Sequence, residues 1–583
     1  MMVSISATNL SLLLILLAVP FVGGDFLAWQ VGLFLIYGLA SQGVGVAWGQ
    51  AGLLPLGNAL FFGIGGYGTA IALQNASGII WIEVVYIILV AMIAAAVAWL
   101  IALLLFRKRS NSGPYFSLIT LALVLIAEQL AETNPQYTGG FNGYTGFPAL
   151  GNLDPFSNLY FLIVGVVVTN TTLLMLLSKL PAGLTLRAIV SNEDRMQHLG
   201  FAAHRIKAAA FALSAFITAV AGSLFACHQG IVTPQAIGFI LSAELIIWAA
   251  VGGKKHPLGP LIGAVGIGLL SNELKDSFIW WEVLIALLFL FVVVILPGGC
   301  FDLMHRLFPS LFGASYLRSD KSIDAPNSVT SGKSGSVSVR DLGVQAGEVK
   351  ILQSLTFEVP ANKISCIIGP NGAGKTTLLN AMTGVMKVNN GSVEVSGKPI
   401  TDLKIYEVLS AGIGRKLQVP AIFNDLTVEE NLQVASIAGR ARLSDFFRKS
   451  TLSWKTETRL MLVDNHKTGL LRFLNYRAGE LSQGHKQFLE MALALGPSPC
   501  ILLLDEPTAG MSRDDTQLMI EIIKDYQKKF NALILVIEHD MRLIEALGSQ
   551  VFVLNQGSLL AEGSLKEIRE NPDVTSVYAG GWK

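Results

Sequence analysis

The chain is predicted to fold as a polytopic α-helical membrane domain followed by a soluble α/β domain. Three observations carry that prediction. Apolar runs about 20 residues long, the length that crosses a bilayer, recur through residues 1–312 and stop there. Charge is divided unevenly: residues 1–312 hold 12 Lys and Arg and 12 Asp and Glu, whereas residues 313–583 hold 30 and 29. Past residue 336, short apolar stretches such as ISCIIG and CILLLD alternate with helical ones such as KTTLLNAMTG, the pattern of strands and helices in an α/β sheet.

Spans are expected near residues 8–23, 27–48, 53–75, 79–106, 114–132, 157–179, 206–227, 235–252, 257–273 and 279–298, about ten in all. The ninth is short and rich in Gly and Pro, so eight or nine crossings also fit. The first run, SLLLILLAVPFVGG, has the core of a secretory signal. No Lys or Arg precedes it, the first basic residue being Arg107, so a span is expected instead. With ten spans, the basic groups fall on one face: RKRS at 107–110, the set from Lys179 to Lys207, Lys254, Lys255 and Arg306. That face is the cytoplasmic one. Residues 313–336 are rich in Ser, Gly, Lys and Asp without periodicity and read as a linker, which leaves 337–583 as the second domain.

Composition narrows the function classes. Four cysteines stand far apart, without metal-ligand spacing to the eight histidines, so they are read as small buried apolar residues in a reducing compartment. A net charge of +1 gives no nucleic-acid footprint.

The stretch GPNGAGKTT, residues 369–377, follows an apolar strand and opens a helix, the context of a phosphate-binding loop. Gly369, Gly372 and Gly374 let backbone N–H groups wrap phosphate oxygens at a helix N-terminus, with Pro370, Asn371, Ala373 and Thr377 completing the loop. Lys375 is placed to reach the β- and γ-phosphates of ATP and the Thr376 hydroxyl to ligate Mg²⁺. ILLLDEP, 501–507, is a buried strand ending in two carboxylates: Asp505 for Mg²⁺ and Glu506 to orient or deprotonate the attacking water.

With these residues the second domain resembles the nucleotide-binding domain of an ABC transporter. LSQGHKQ, 481–487, is similar to the signature motif, giving Ser482 and Gly484; Gln418 in GRKLQVP resembles the Q-loop glutamine, and His539 in VIEHD the switch histidine. The ordered set covers about 240 residues. The resemblance implies catalytic roles for Glu506, His539 and Gln418, with Gln418 also on Mg²⁺. It further implies two such domains facing each other, so that Lys375 and Ser482 serve different ATP molecules. Two departures stand out. Gln345 and Ala346 occupy the place where many members stack an aromatic residue on adenine, and His485 replaces a glutamine; neither is expected to touch phosphate chemistry.

The membrane half resembles permeases of the hydrophobic amino acid uptake family, which also includes urea and short-amide importers. The resemblance rests on GQAGLLPLGNALFFGIGGYGTA (49–70), TGGFNGYTGFP (138–148), LRAIVSNEDRMQHLGF (186–201) and VGGKKHPLGPLIGA (251–264). The first of these contains seven glycines, which suit close helix approach beside a solute path. The polar insert 184–203 is implied to be a coupling helix, with Glu193, Asp194 and Arg195 as contacts. Glu83, Glu128 and Glu244 lie in or near spans, where a carboxylate is expensive, and Glu244, mid-span in ILSAELIIWA, is expected to line the path.

The whole is expected to be a fused permease and ATPase subunit of a binding-protein-dependent importer in a bacterial inner membrane, with the ATPase cytoplasmic. Branched-chain amino acids are the first expected solute and urea or short amides the alternative, because GIGRKLQVPAIF, HKQFLE and AGMS look more like the urea branch. An exporter fits less well, since exporters commonly show six spans. A second permease, a second ATPase and an external solute-binding protein are implied partners.

Overall fold

The computed structural model describes residues 2–74, 78–106, 113–296, 298–307, 335–439, 446, 456–462, 465, 467–548 and 550–577. The basic run at 107–110 and linker residues 313–334 lie outside the described residues. Contacts divide the chain into two units: Met1–Leu186 with Ala203–Arg318, and Arg187–Ala202 with Ser319–Lys583.

Each of the ten expected apolar segments of the first unit contributes to a helix among the described residues. Among the described residues six helices are long and apolar enough to cross a membrane, and Ala59–Gln74 and Val283–Val292 are shorter apolar ones. The lower count has local causes. The first two expected segments share one helix, Met2–Val44, broken at Gly24, whose φ of 72° lies in the left-handed region. The third begins late: residues 51–58, with Pro55 inside, are not helical, and the helix starts at Ala59. Unwound backbone at membrane depth is tolerated where protein covers it. Here Ser117 donates to the Leu54 carbonyl (2.8 Å), Asn58 donates to Thr218 Oγ1 (2.7 Å), and Ser242 Oγ accepts from the Ala59 N–H (3.0 Å).

Some glycines of 49–70 lie against main chain and others clear side chains of neighbouring helices. A Cβ on Gly65 would run into the Ala219 carbonyl, one on Gly57 into the Thr120 carbonyl, and one on Gly222 into the Phe62 carbonyl. Helices Ala59–Gln74 and Ala203–Gln229 therefore touch main chain to main chain, and Thr69 adds a hydroxyl bond to Ser223 (2.8 Å). That is the small-residue packing that membrane helices use where hydrophobicity cannot drive association.

The second unit is built on a six-stranded sheet in the order Ser558–Ser564, Gln550–Asn555, Ile364–Ile368, Leu533–Ile537, Ile501–Asp505, Ile413–Lys416. The last five are parallel and the first is an antiparallel edge. Strands such as ILLLD and LILVI are apolar throughout because both faces of a parallel sheet are covered. A second, antiparallel sheet of four strands includes Val337–Ala346 and Val349–Val359.

Candidate functional site

In an open parallel sheet, ligands bind beyond the C-terminal ends of the strands. Four of the motifs leave the sheet at that edge: the phosphate loop after Ile368, Gln418 after Lys416, Glu506 after Asp505, and His539 after Ile537. Distant parts of the sequence converge because their strands are neighbours.

The loop 369–374 owes its shape to two glycines, with φ of 81° at Gly372 and 95° at Gly374. Gly374 caps the helix Lys375–Met382, and a side chain there would also strike Leu352. Lys375 Nζ donates to the carbonyls of Gly369 (2.7 Å) and Pro370 (3.0 Å), folding the ammonium back over the loop. Burial holds that ammonium below its ordinary pKa, with Glu506 and Asp505 pulling the other way.

Asp505 ends its strand with a buried side chain, and neither carboxylate oxygen has a hydrogen-bond partner of good geometry. Burial pushes its pKa above the ordinary carboxylate range, opposed by Arg415, whose Nη2 lies 4.0 Å away, and by the nearby Thr376 hydroxyl. A buried, under-satisfied carboxylate beside a hydroxyl and a phosphate loop suits a hard, oxygen-seeking cation such as Mg²⁺. Glu506 holds φ at 45°, a left-handed conformation that costs a non-glycine residue about 1–3 kcal/mol and is found at working sites. Its Oε1 lies 3.7 Å from His539 Nδ1, and its N–H donates to the Ile537 carbonyl (3.0 Å). Gln418 sits on an exposed bend.

Ser482 caps the helix Gln483–Leu495, accepting from the His485 N–H (3.4 Å), and its Oγ lies 2.6 Å from His485 Nδ1. His485, expected to stand apart from phosphate chemistry, thus bonds the Ser482 hydroxyl. Gly484 passes the Asp515 carboxylate, which a Cβ would meet at 3.0 Å.

Sequence reasoning missed three buried groups. Glu538 accepts from Thr508 Oγ1 (3.1 Å) and from the His539 N–H (3.2 Å), tying the loop after Glu506 to His539. An acidic residue closing an all-apolar strand was the available signal. Arg415 donates to Thr383 Oγ1 (2.7 Å) and Asn380 Oδ1 (2.8 Å). Glu490 pairs with Lys416 (3.3 Å) and accepts from the Leu417 N–H (3.0 Å).

Residues 187–202 belong to this unit although they lie between spans in sequence. Asn192 caps the helix Glu193–His198 by accepting from the Arg195 N–H (2.9 Å). Of the three residues expected to make contacts, Arg195 is fully buried, Asp194 is exposed and Glu193 is half-buried. Arg187 adds an ion pair to Glu430 (2.8 Å).

His198 is held down to about 3 from an ordinary 6.5, by burial and then by Arg415 and Arg195. The unfolded chain therefore takes up this proton near pH 6.5 while the folded unit resists it until near pH 3, so acidification through that window favours unfolding. His198→Asn is expected to lose less melting temperature between pH 7 and pH 5 than the wild type. Equal losses would sink this account.

In the first unit, Glu83 is buried and accepts from the Gly151 N–H (2.5 Å), and Glu128 accepts from the Phe239 N–H (3.4 Å) at the start of helix Phe239–Gly252. Both serve the fold. Glu244 is exposed in the middle of that helix, within electrostatic reach of Tyr37.

Comparison with known proteins agrees with both halves. Residues 28–294 match the family described as branched-chain amino acid transport system, permease component, and residues 352–509 the family described as ABC transporter. The chain is 32% identical over 252 residues to the high-affinity branched-chain amino acid transport ATP-binding protein LivG of Salmonella typhimurium, covering 42% of this chain and 97% of LivG. It is 32% identical over 250 residues to the corresponding protein BraF of Pseudomonas aeruginosa, covering 42% of this chain and 96% of BraF. A solved ATP-binding cassette of an ABC transporter in its ADP conformation shows 28% identity and a TM-score of 0.36, covering 42% of this chain and 99% of that one.

Proposed function

We propose that this chain, which belongs to the ABC transporters and joins a permease of the branched-chain amino acid transport type to an ATPase in one polypeptide, imports branched-chain amino acids. It is a membrane-embedded ATPase coupled to transport and works in a complex with partner subunits. The observation that carries the proposal is the convergence of the phosphate loop, Asp505, Glu506 and His539 on one sheet edge of a chain whose other half matches that permease family.

In this reading the backbone N–H groups of residues 369–376 and the Lys375 ammonium hold the β- and γ-phosphates of ATP. Thr376, Asp505 and Gln418 hold Mg²⁺, which when bound neutralises phosphate charge. Glu506 orients the attacking water and takes its proton, while His539 keeps that carboxylate in place. Ser482 and Gly484 serve the nucleotide of a second ATPase subunit. Residues 187–202 carry the closing of the ATPase pair to the spans, and Glu244 lines the solute path. A mid-span carboxylate facing lipid would be costly, so the exposed face of its helix is assigned to a second permease subunit and the path between. An external solute-binding protein delivers the solute, and the ATPase faces the cytoplasm of a bacterial inner membrane.

Uptake of radiolabelled leucine and of urea, in cells with the chain, without it, and with Lys375→Ala, tests this. Loss of leucine uptake in both the deletion and the variant is expected. Loss of urea uptake alone would move the chain to the urea branch, to which the motifs around Gln418 and His485 already lean. No change in either would overturn the importer reading.

A further inference from the structure

Arg195 is buried to 0% exposure, yet its partners are two main-chain oxygens. Nη1 donates to the Arg415 carbonyl (2.8 Å) and Nη2 to the Glu490 carbonyl (3.3 Å), while Nε has no partner. Burying a guanidinium without a carboxylate in ion-pair contact is expensive. Stability alone gives little reason to place an arginine here, whereas a seat that is costly to fill is also easy to leave.

The two carbonyls belong to residues whose side chains run to the phosphate-loop helix, for Arg415, and to the main chain just before Gln418, for Glu490. Arg415 grips the end of the phosphate-loop helix through Asn380 and Thr383 and faces Asp505 across 4.0 Å. Glu490, on the helix that Ser482 caps, pairs with Lys416 and accepts from the Leu417 N–H, one residue before Gln418. Arg195 thus pins the strand Ile413–Lys416 to the helix Gln483–Leu495. Three cations, Arg195, Arg415 and Lys416, share two carboxylates, Glu490 and Asp505, in this buried cluster. The seated Arg195 fixes the main chain from which the Arg415 side chain extends, and its charge acts against the charge of Arg415.

We propose that Arg195 is a positioning residue for ATP hydrolysis that acts through Arg415: with its guanidinium seated, Arg415 is held against the phosphate-loop helix and Asp505. This rests on reading residues 187–202 as the coupling element. Because Arg195 lies in sequence between two membrane helices, Asn158–Lys179 and Ala203–Gln229, a movement of those helices that unseats it slackens Arg415 and slows hydrolysis. The route does not pass through the side chain of Gln418.

The test is a double-mutant cycle on the full transporter with its partner subunits, in proteoliposomes, using Arg195→Met, Arg415→Met and both. ATP hydrolysis is measured as kcat and KM, binding of a fluorescent ATP analogue reports an intact site, and leucine uptake is followed in the same vesicles. Arg195→Met is expected to lower kcat about tenfold while KM for ATP stays within about twofold, and to have no further effect once Arg415 is Met. Arg195→Lys, which keeps the charge, is expected to recover most of the rate. Equal losses from Arg195→Met in both backgrounds would overturn the relay, as would a rise in KM with kcat unchanged. If Arg195→Met no longer binds the analogue, Arg195→Gln takes its place in the cycle under the same criteria. Leucine uptake by the wild type without the predicted coupling sinks the relay alone; the coupling without leucine uptake sinks only the solute assignment.

Discussion

Replacing Glu506 with Gln is expected to leave ATP binding intact and slow hydrolysis by about 10²-fold or more, the usual contribution of a positioned general base. The substitution keeps the size of the side chain and its reach toward His539 but removes the carboxylate proposed to accept the proton. Binding depends on the phosphate loop and Lys375, at the end of a different strand, so KM for ATP stays within about twofold while kcat falls. The left-handed φ of 45° at Glu506 is compatible with either residue, so the fold is unaffected. Phosphate release by the purified complex measures the effect. A loss smaller than tenfold would remove Glu506 from the role of base and turn attention to His539 and Glu538.

A second large effect is expected in the membrane half, where Gly65→Val puts a branched side chain into the Ala219 carbonyl. Overpacking a tight core costs about 1–3 kcal/mol when side chains can yield. Here the obstacle is main chain, held by Thr69 to Ser223 and by Ser223 to the Gly65 carbonyl (3.2 Å), so helices Ala59–Gln74 and Ala203–Gln229 must separate. Gly165→Val is the comparison, because nothing lies within 4 Å of its Cβ position. The expected result is a strongly lowered melting temperature in detergent for Gly65→Val and a near-native one for Gly165→Val. Equal melting would mean that the helix pair does not depend on this contact. The glycine-rich stretch therefore concerns helix contact first, and any role beside a solute path is additional to that.

What sequence alone determined here is local and periodic. Apolar runs of spanning length announce membrane helices whatever they pack against, because the bilayer imposes the length. GPNGAGKTT and ILLLDEP identify a phosphate loop and a strand-end acidic pair because backbone geometry and buried strands constrain residue type at those positions. Where a segment breaks depended on its neighbours. Residues 53–58 read as the start of a span, and they unwind where Ser117 and Thr218 of other helices take up polar groups of Leu54 and Asn58 and Ser242 takes up the Ala59 N–H.

The tertiary structure decided which residues work together. Lys375, Asp505, Glu506 and His539 meet because three strands lie parallel and adjacent, an order that local pattern does not encode. Nothing in GRK marks Arg415 as a bridge to Asn380, Thr383 and Asp505, and the expectation of Arg195 as a contact names neither of the two carbonyls that bury it. Glu83, Glu128 and Glu244 are alike in sequence as carboxylates among apolar residues. Only their surroundings separate two that bond main-chain N–H groups from one that lies exposed along a helix. Periodicity and motif spacing report what each segment must satisfy by itself, whereas a buried charge is defined by partners far away in the chain, and those exist only once the fold has formed.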